Sequence, residues 1–153
     1  MEFTATPKEM LADIRQFGER QMRRSGSVSP MFVIHKQDGD RVPISVQWGS
    51  DVEKQVACAT VRMLIRQERA IGYAFVAEAW MFIPDAGFDL RMRPSQMPGR
   101  VEVLSMLAVT HREKLFELRR IVRRKSGAFR RLDPVDVPMG VDAVEGRMTA
   151  LMD

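Results

Sequence analysis

Glu78, in the run FVAEAWMF, and Glu102, in RVEVLSML, each stand alone among apolar neighbours. A carboxylate in such a setting is costly to bury without a partner. The stretch between the two runs supplies Arg91, Arg93 and Arg100, whose guanidinium forks match carboxylates in a bidentate manner. Two arrangements satisfy these residue types. In one, Glu78 and Glu102 pair with the arginines and pin the intervening loop to a sheet. In the other, an arginine binds a carboxylate or phosphate ligand while Glu78 acts as acid or base beside Trp80. Burial raises a carboxyl pKa and a nearby arginine lowers it, so the residue types alone leave the sign open. Glu78, Trp80, Arg93, Arg100 and Glu102 are thus one candidate cluster, structural or ligand-binding. No nucleophile and no neighbouring histidine completes a catalytic set.

A second cluster is cationic. RRIVRRKSGAFRR, residues 119–131, carries Arg119, Arg120, Arg123, Arg124, Lys125, Arg130 and Arg131 and no acid. Over residues 112–131 nine basic groups meet only Glu113 and Glu117, a local net charge of +7 in a chain whose total is +4, which leaves −3 elsewhere. A hairpin in this segment turns either Arg119 and Arg123 or Arg120 and Arg124 to its open face, depending on register. Such a face neutralises phosphates without reading sequence, and Phe129 is placed to stack on a base. The plainer alternative is a solvated edge whose arginines discourage sheet-to-sheet association. The partner expected for these seven residues is an acidic protein surface or a nucleic acid bound without sequence preference.

The remaining polar residues suggest no further chemistry. His35, His111 and Cys58 lack metal-ligand spacing and read as structural or surface groups. Asp38-Gly39-Asp40 is a turn without the other ligands of a calcium loop. No phosphate-cradling glycine loop or paired-cysteine signature occurs, so neither a metal nor a cofactor is expected. The single Cys58 cannot form an internal disulfide, which fits a reducing cytoplasm. No apolar run approaches the roughly 18 residues of a membrane span. The N-terminal MEFTATPKEM has no apolar core and does not read as a secretion signal.

The elements that must position these clusters are legible in part. Thr6, Pro7 and Glu9 form a capping box that opens a helix over roughly 7–24. Met10, Leu11, Ile14 and Phe17 line its apolar face, and Arg20, Arg23 and Arg24 complement its C-terminal dipole. Met31–Ile34 and Val42–Val46 read as strands about Asp38-Gly39, with Pro43 favouring an edge. Such an uncapped edge leaves room for homodimer pairing across a two-fold axis. Ser50-x-x-Glu53 opens a second helix ending near Arg69, with Val52, Val56, Ala59 and Met63 as the expected buried stripe. GYAFVAEAWMFIP and VEVLSMLAVT read as strands. Residues 111–125 suit either a helix capped by Thr110-x-x-Glu113 or strands about a Ser-Gly turn, and strands fit better. Val144, Met148 and Leu151 suggest a short C-terminal helix. The expected fold is one α+β domain over 1–153: a mainly antiparallel sheet of about five to six strands, two principal helices packed on it, and that short helix. The twelve methionines fall mostly on apolar stripes, where core packing accounts for them.

Val76, Glu78, Ala79 and Trp80, followed by Arg93, Pro94, Ser95, Pro98, Arg100, Glu102 and Val103, give the pattern V-x-E-A-W…R-P-S-x-x-P-x-R-x-E-V. This is similar to a group of uncharacterised bacterial and bacteriophage proteins, chiefly over residues 72–110, with a looser likeness in the basic segment that follows. The resemblance implies a small standalone prokaryotic or phage protein and carries no mechanism. The function expected from the residues is therefore a small non-enzymatic interaction protein whose basic hairpin meets an acidic partner. The alternative is an enzyme or small-ligand module built on Glu78, Arg93, Arg100 and Glu102.

Overall fold

The computed structural model describes residues 5–47, 49–81, 101–135, 151 and 152. Helix α1 spans Pro7–Ser25 and α2 spans Asp51–Gln67; the strands are β1 Met31–Lys36, β2 Arg41–Ser45, β3 Ala70–Met81, β4 Val101–Thr110, β5 Lys114–Arg123 and β6 Phe129–Pro134. The six strands form one sheet in the order β2-β1-β3-β4-β5-β6. Every pairing is antiparallel. The expected α+β architecture with two principal helices is present. Of the suggested C-terminal helix, Val144 and Met148 lie outside the described residues.

Because side chains alternate along a strand, each central strand feeds two cores. Ala74 and Val76 of β3 join Leu104, Met106 and Ala108 of β4 beneath Met10, Ile14 and Met22 of α1. Tyr73 and Phe75 join Phe32, Ile34, Leu107 and Val109 on the other face, under Cys58, Val61 and Ile65 of α2. The helices thus cover opposite faces of the sheet. Phe32 packs against the Phe75 ring at 4.6 Å between centroids, a favoured distance for tilted aromatic pairs. The Leu151 amide donates to the Tyr73 hydroxyl at 3.4 Å, so a residue near the chain's end is held in the α2-side core.

α1 begins as its capping box predicts. The Glu9 amide donates to Thr6 Oγ1 and the Thr6 amide to Glu9 Oε2. It ends at Gly26, whose φ of 77° is the left-handed value glycine adopts at least cost. Pro43 sits on β2, an edge strand, where its missing N–H disrupts no second ladder.

Two local signals resolve differently from their simplest reading. Thr110 accepts from the Arg112 and Glu113 amides as an N-cap would, but the Thr110 amide donates to the Glu113 carbonyl. This closes the turn between β4 and β5, and residues 114–123 are strand, as the better-fitting alternative had it. The face of α2 is a correction. Val52, Val56 and Met63, expected to be buried, are 68%, 61% and 58% exposed, and Ala59 is exposed too. Cys58, Val61 and Ile65 are buried instead, with Ala57 and Leu64 packed beside them. Both stripes have helical spacing, and the bulkier Val61, Leu64 and Ile65 lie on the one that meets the aromatic sheet face.

Candidate functional site

β3 and β4 pair from Gly72↔Thr110 to Met81↔Val101, which sets Trp80 opposite Glu102 and Glu78 opposite Leu104. Alternation then puts Glu78, Trp80 and Glu102 on the α1 face, beyond the end of the α1-side core. Glu78, Ala79, Trp80, Glu102 and Ile121 line a recess of about 260 Å³. Trp80 remains 43% exposed. The described cation that meets both carboxylates is Arg123 of β5. Its Nε donates to Glu102 Oε2 at 2.7 Å, and its Nη2 lies 3.9 Å from Glu78 Oε1. Nη2 also donates to the Gly26 carbonyl at the end of α1, and Nη1 to the Gly127 carbonyl in the β5–β6 turn. Arg123 therefore joins two strands, a helix end and a turn. Arg91, Arg93 and Arg100 lie outside the described residues.

For Glu78, whose side chain is 36% exposed, partial desolvation gives the direction. Desolvation holds its carboxyl above the usual carboxylate range; a backbone hydrogen bond with Val28 and the Arg123 charge act against it, and Glu102 reinforces it.

The basic hairpin divides into paired and unpaired cations. Arg119 donates to Glu117 at 2.9 Å, and Arg15 of α1 holds the same carboxylate at 3.0 Å. Arg131 meets Asp133 at 2.7 Å. Arg123 is engaged as described. Arg120, Arg124, Lys125 and Arg130 are exposed and make no ion pair among the described residues. The register explains their spread. Val122 faces Arg131 and Arg123 faces Phe129, so Arg130 is the extra residue of a bulge. Arg124 and Lys125 flank the Ser126-Gly127 turn, closed by the Gly127 amide donating to the Arg124 carbonyl. Gly127 takes φ 90°, a value that a β-carbon would strain.

The last turn of α1 abuts this hairpin. The Arg23 guanidinium lies over the Phe129 ring at 5.5 Å from its centroid, and Phe129 also packs against the α1-side core. A face of Phe129 expected to receive a base is covered by an arginine. Arg24 is exposed in the last turn of α1, and Arg20 is exposed towards β1 and β2. The cationic corner therefore joins the hairpin to the Arg23 end of α1, about a hundred residues away in sequence, a contact that the hairpin sequence alone does not reveal.

A second depression was not apparent in the sequence. A cleft of about 360 Å³ between α1 and the β1–β2 edge has an apolar floor including Met10, Phe17 and Val33, with Arg20, His35 and Arg41 among its polar lining. Arg41 pairs with Asp13 at 2.8 Å. Burial first, and Arg41 second, hold the His35 imidazole below its ordinary pKa, against Asp13. Its lining comes from four separate segments, and no local motif marks them.

Among the described residues no group of His, Cys, Asp and Glu is arranged to hold a metal ion, and no helix is long and apolar enough to cross a membrane. No protein-family model, curated protein or solved structure matches the chain.

Proposed function

We propose that the cationic corner is the functional surface and that the protein is a non-enzymatic module holding the phosphate backbone of a nucleic acid without reading its sequence. The observation that carries this reading is the division of the hairpin's charges. Arg124, Lys125 and Arg130 stay exposed and make no ion pair among the described residues, while Arg119, Arg123 and Arg131 hold the hairpin in shape. Rigidly presented guanidinium groups suit phosphate oxygens. A protein partner is less well served, because protein interfaces centre on apolar or aromatic anchors. The exposed large hydrophobics among the described residues are Val52, Val56, Met63 and Trp80, none of them in the hairpin.

The test is a titration of labelled single- and double-stranded oligonucleotides with the wild type and with a variant carrying Arg124→Gln, Lys125→Gln and Arg130→Gln. At about 50 mM salt the variant should bind at least tenfold more weakly while melting at the same temperature. Binding to an acidic protein or polyglutamate but to no oligonucleotide would assign the corner to a protein partner instead.

The recess at Glu78 and Glu102 supports a second reading, a small-ligand site. The observation favouring it is a carboxyl held in its protonated form more readily than usual beside a second carboxylate. A ligand stabilising the wild type but not Glu78→Gln, with both variants equally stable alone, would support that reading.

A further inference from the structure

We propose that the cleft between α1 and the β1–β2 edge binds a small hydroxy-monocarboxylate, an apolar body with a carboxylate at one end and a hydroxyl at the other. The cleft exists because the sheet extends beyond its helix. α1 lies chiefly over β3–β6, and β1 and β2 continue the same face beside it. Phe17, Met31 and Val33 are consequently only half-buried. A space of about 360 Å³ with a mainly apolar lining and a few polar groups has the size and character of a small-molecule site.

The two polar ends select the ligand. His35 is 4% exposed, yet its ring makes no hydrogen bond among the described residues. No buried side-chain nitrogen or oxygen among them is sealed off without a partner, so the His35 nitrogens open into the cleft. Buried polar groups ordinarily have such a partner, and here a ligand supplies it. Burial and Arg41 favour the neutral imidazole, which offers one N–H and one lone pair. A hydroxyl serves either tautomer, because it both donates and accepts. Arg41 is paired with His35 across the β1–β2 ladder and holds Asp13, whose charge disfavours a carboxylate at this end. Arg20 stands at the other end, seven residues beyond Asp13 and so about 10 Å along α1. It is exposed and makes no ion pair among the described residues, whereas Arg41 is neutralised by Asp13. The lining thus carries one uncompensated positive charge, on a guanidinium fork that matches a carboxylate. Ile14 and Phe17 lie between the two ends and call for an apolar body.

Amide chemical shifts of the isotope-labelled full chain, titrated with para-hydroxycinnamate and with omega-hydroxyoctanoate, test this. At least one probe should give saturable shifts at Phe17, Val33 and His35, with a Kd below about 1 mM. Cinnamate or octanoate, which lack the hydroxyl, should bind about fivefold more weakly, and His35→Phe should abolish that difference. Arg20→Gln, at an exposed position, should weaken binding about tenfold at an unchanged melting temperature. Arg24→Gln removes the same charge outside the cleft and should leave binding unchanged. Four results overturn the proposal: no saturable shift with either probe, shifts confined to Glu78–Trp80, equal affinity for the acids with and without the hydroxyl, or undiminished binding by Arg20→Gln. The Arg20 result stands even if His35→Phe fails to fold.

Discussion

Arg123 Nε lies 2.7 Å from Glu102 Oε2, so the side chain at the centre of the basic run is bound to the carboxylate at the centre of the other candidate cluster. The two clusters that look separate in sequence meet at one residue. Arg123 is a fastener between the sheet, the end of α1 and the β5–β6 turn. Its charge is engaged within the protein, and the outward-facing cations are others.

This relationship predicts coupled stability effects. Arg123→Ala should destabilise by about 2 kcal/mol, because it removes hydrogen bonds to two carbonyls and leaves Glu102 without its partner. Both side chains are partly exposed, which limits the Arg123–Glu102 coupling itself to about 1 kcal/mol. A urea-denaturation double-mutant cycle with Glu102→Ala measures it; strict additivity would show that the pair contributes nothing.

Glu78 should behave in the opposite sense from a strongly paired carboxylate. Its folded-state pKa is raised by burial, so between the ordinary carboxylate value and the raised one the folded protein binds more protons than the unfolded chain. Stability attributable to Glu78 therefore falls as pH rises through that window. Glu78→Gln should cost no stability at neutral pH and should remove this fall. Melting curves from about pH 4 to pH 7 check it. A large loss of stability in Glu78→Gln at pH 7 would mean that the ionised form is held by stronger partners than Arg123 at 3.9 Å.

How much of this was legible follows from the range of each determinant. α1 was readable nearly to the residue because Thr6, Glu9 and Gly26 act within a turn of the helix ends. The limits of α2 were readable for the same reason, but its buried face was not. Both of its stripes are apolar, and only the opposing sheet, with Phe32, Tyr73 and Phe75, selects Val61 and Ile65. The charge run at 119–131 was evident, yet its division was not. Which arginines remain unpaired depends on strand register and on the α1 terminus reaching Arg123 across 97 positions of sequence. Glu78 and Glu102 among apolar neighbours imply partners, but the described partner comes from β5. The cleft beside His35 had no local signal at all.

Close packing of α1 on the sheet gives a backbone prediction. A β-carbon on Gly72 would lie 2.6 Å from the Val109 carbonyl oxygen and 2.8 Å from Met10 Cε. The methionine can move, but the carbonyl belongs to the β3–β4 ladder. Gly72→Ala should destabilise by about 1–3 kcal/mol, read as a lower urea midpoint with an unchanged slope. An unchanged midpoint would show that the two strands are farther apart than described.

His35 gives a pH dependence of its own. Its folded-state pKa is lowered, chiefly by burial, so as pH falls below about 6.5 the unfolded chain binds the proton first. The contribution of neutral His35 is complete above that value and is lost as pH falls through the lowered one. His35→Phe should flatten this part of the stability–pH curve between about pH 7 and pH 5. A curve of unchanged shape would place the proton uptake on another group.

The most direct test of the phosphate-binding account is the salt dependence of affinity for a short DNA duplex. If Arg120, Arg124, Lys125 and Arg130 each neutralise one phosphate, log K should fall with log salt at a slope of about −3.6. Arg124→Gln with Lys125→Gln should reduce the slope to about −1.8, whereas Arg119→Gln, whose charge is engaged with Glu117, should leave it near −3.6. No measurable binding at about 50 mM salt, or a slope that responds to Arg119 and not to Arg124 and Lys125, would contradict the account.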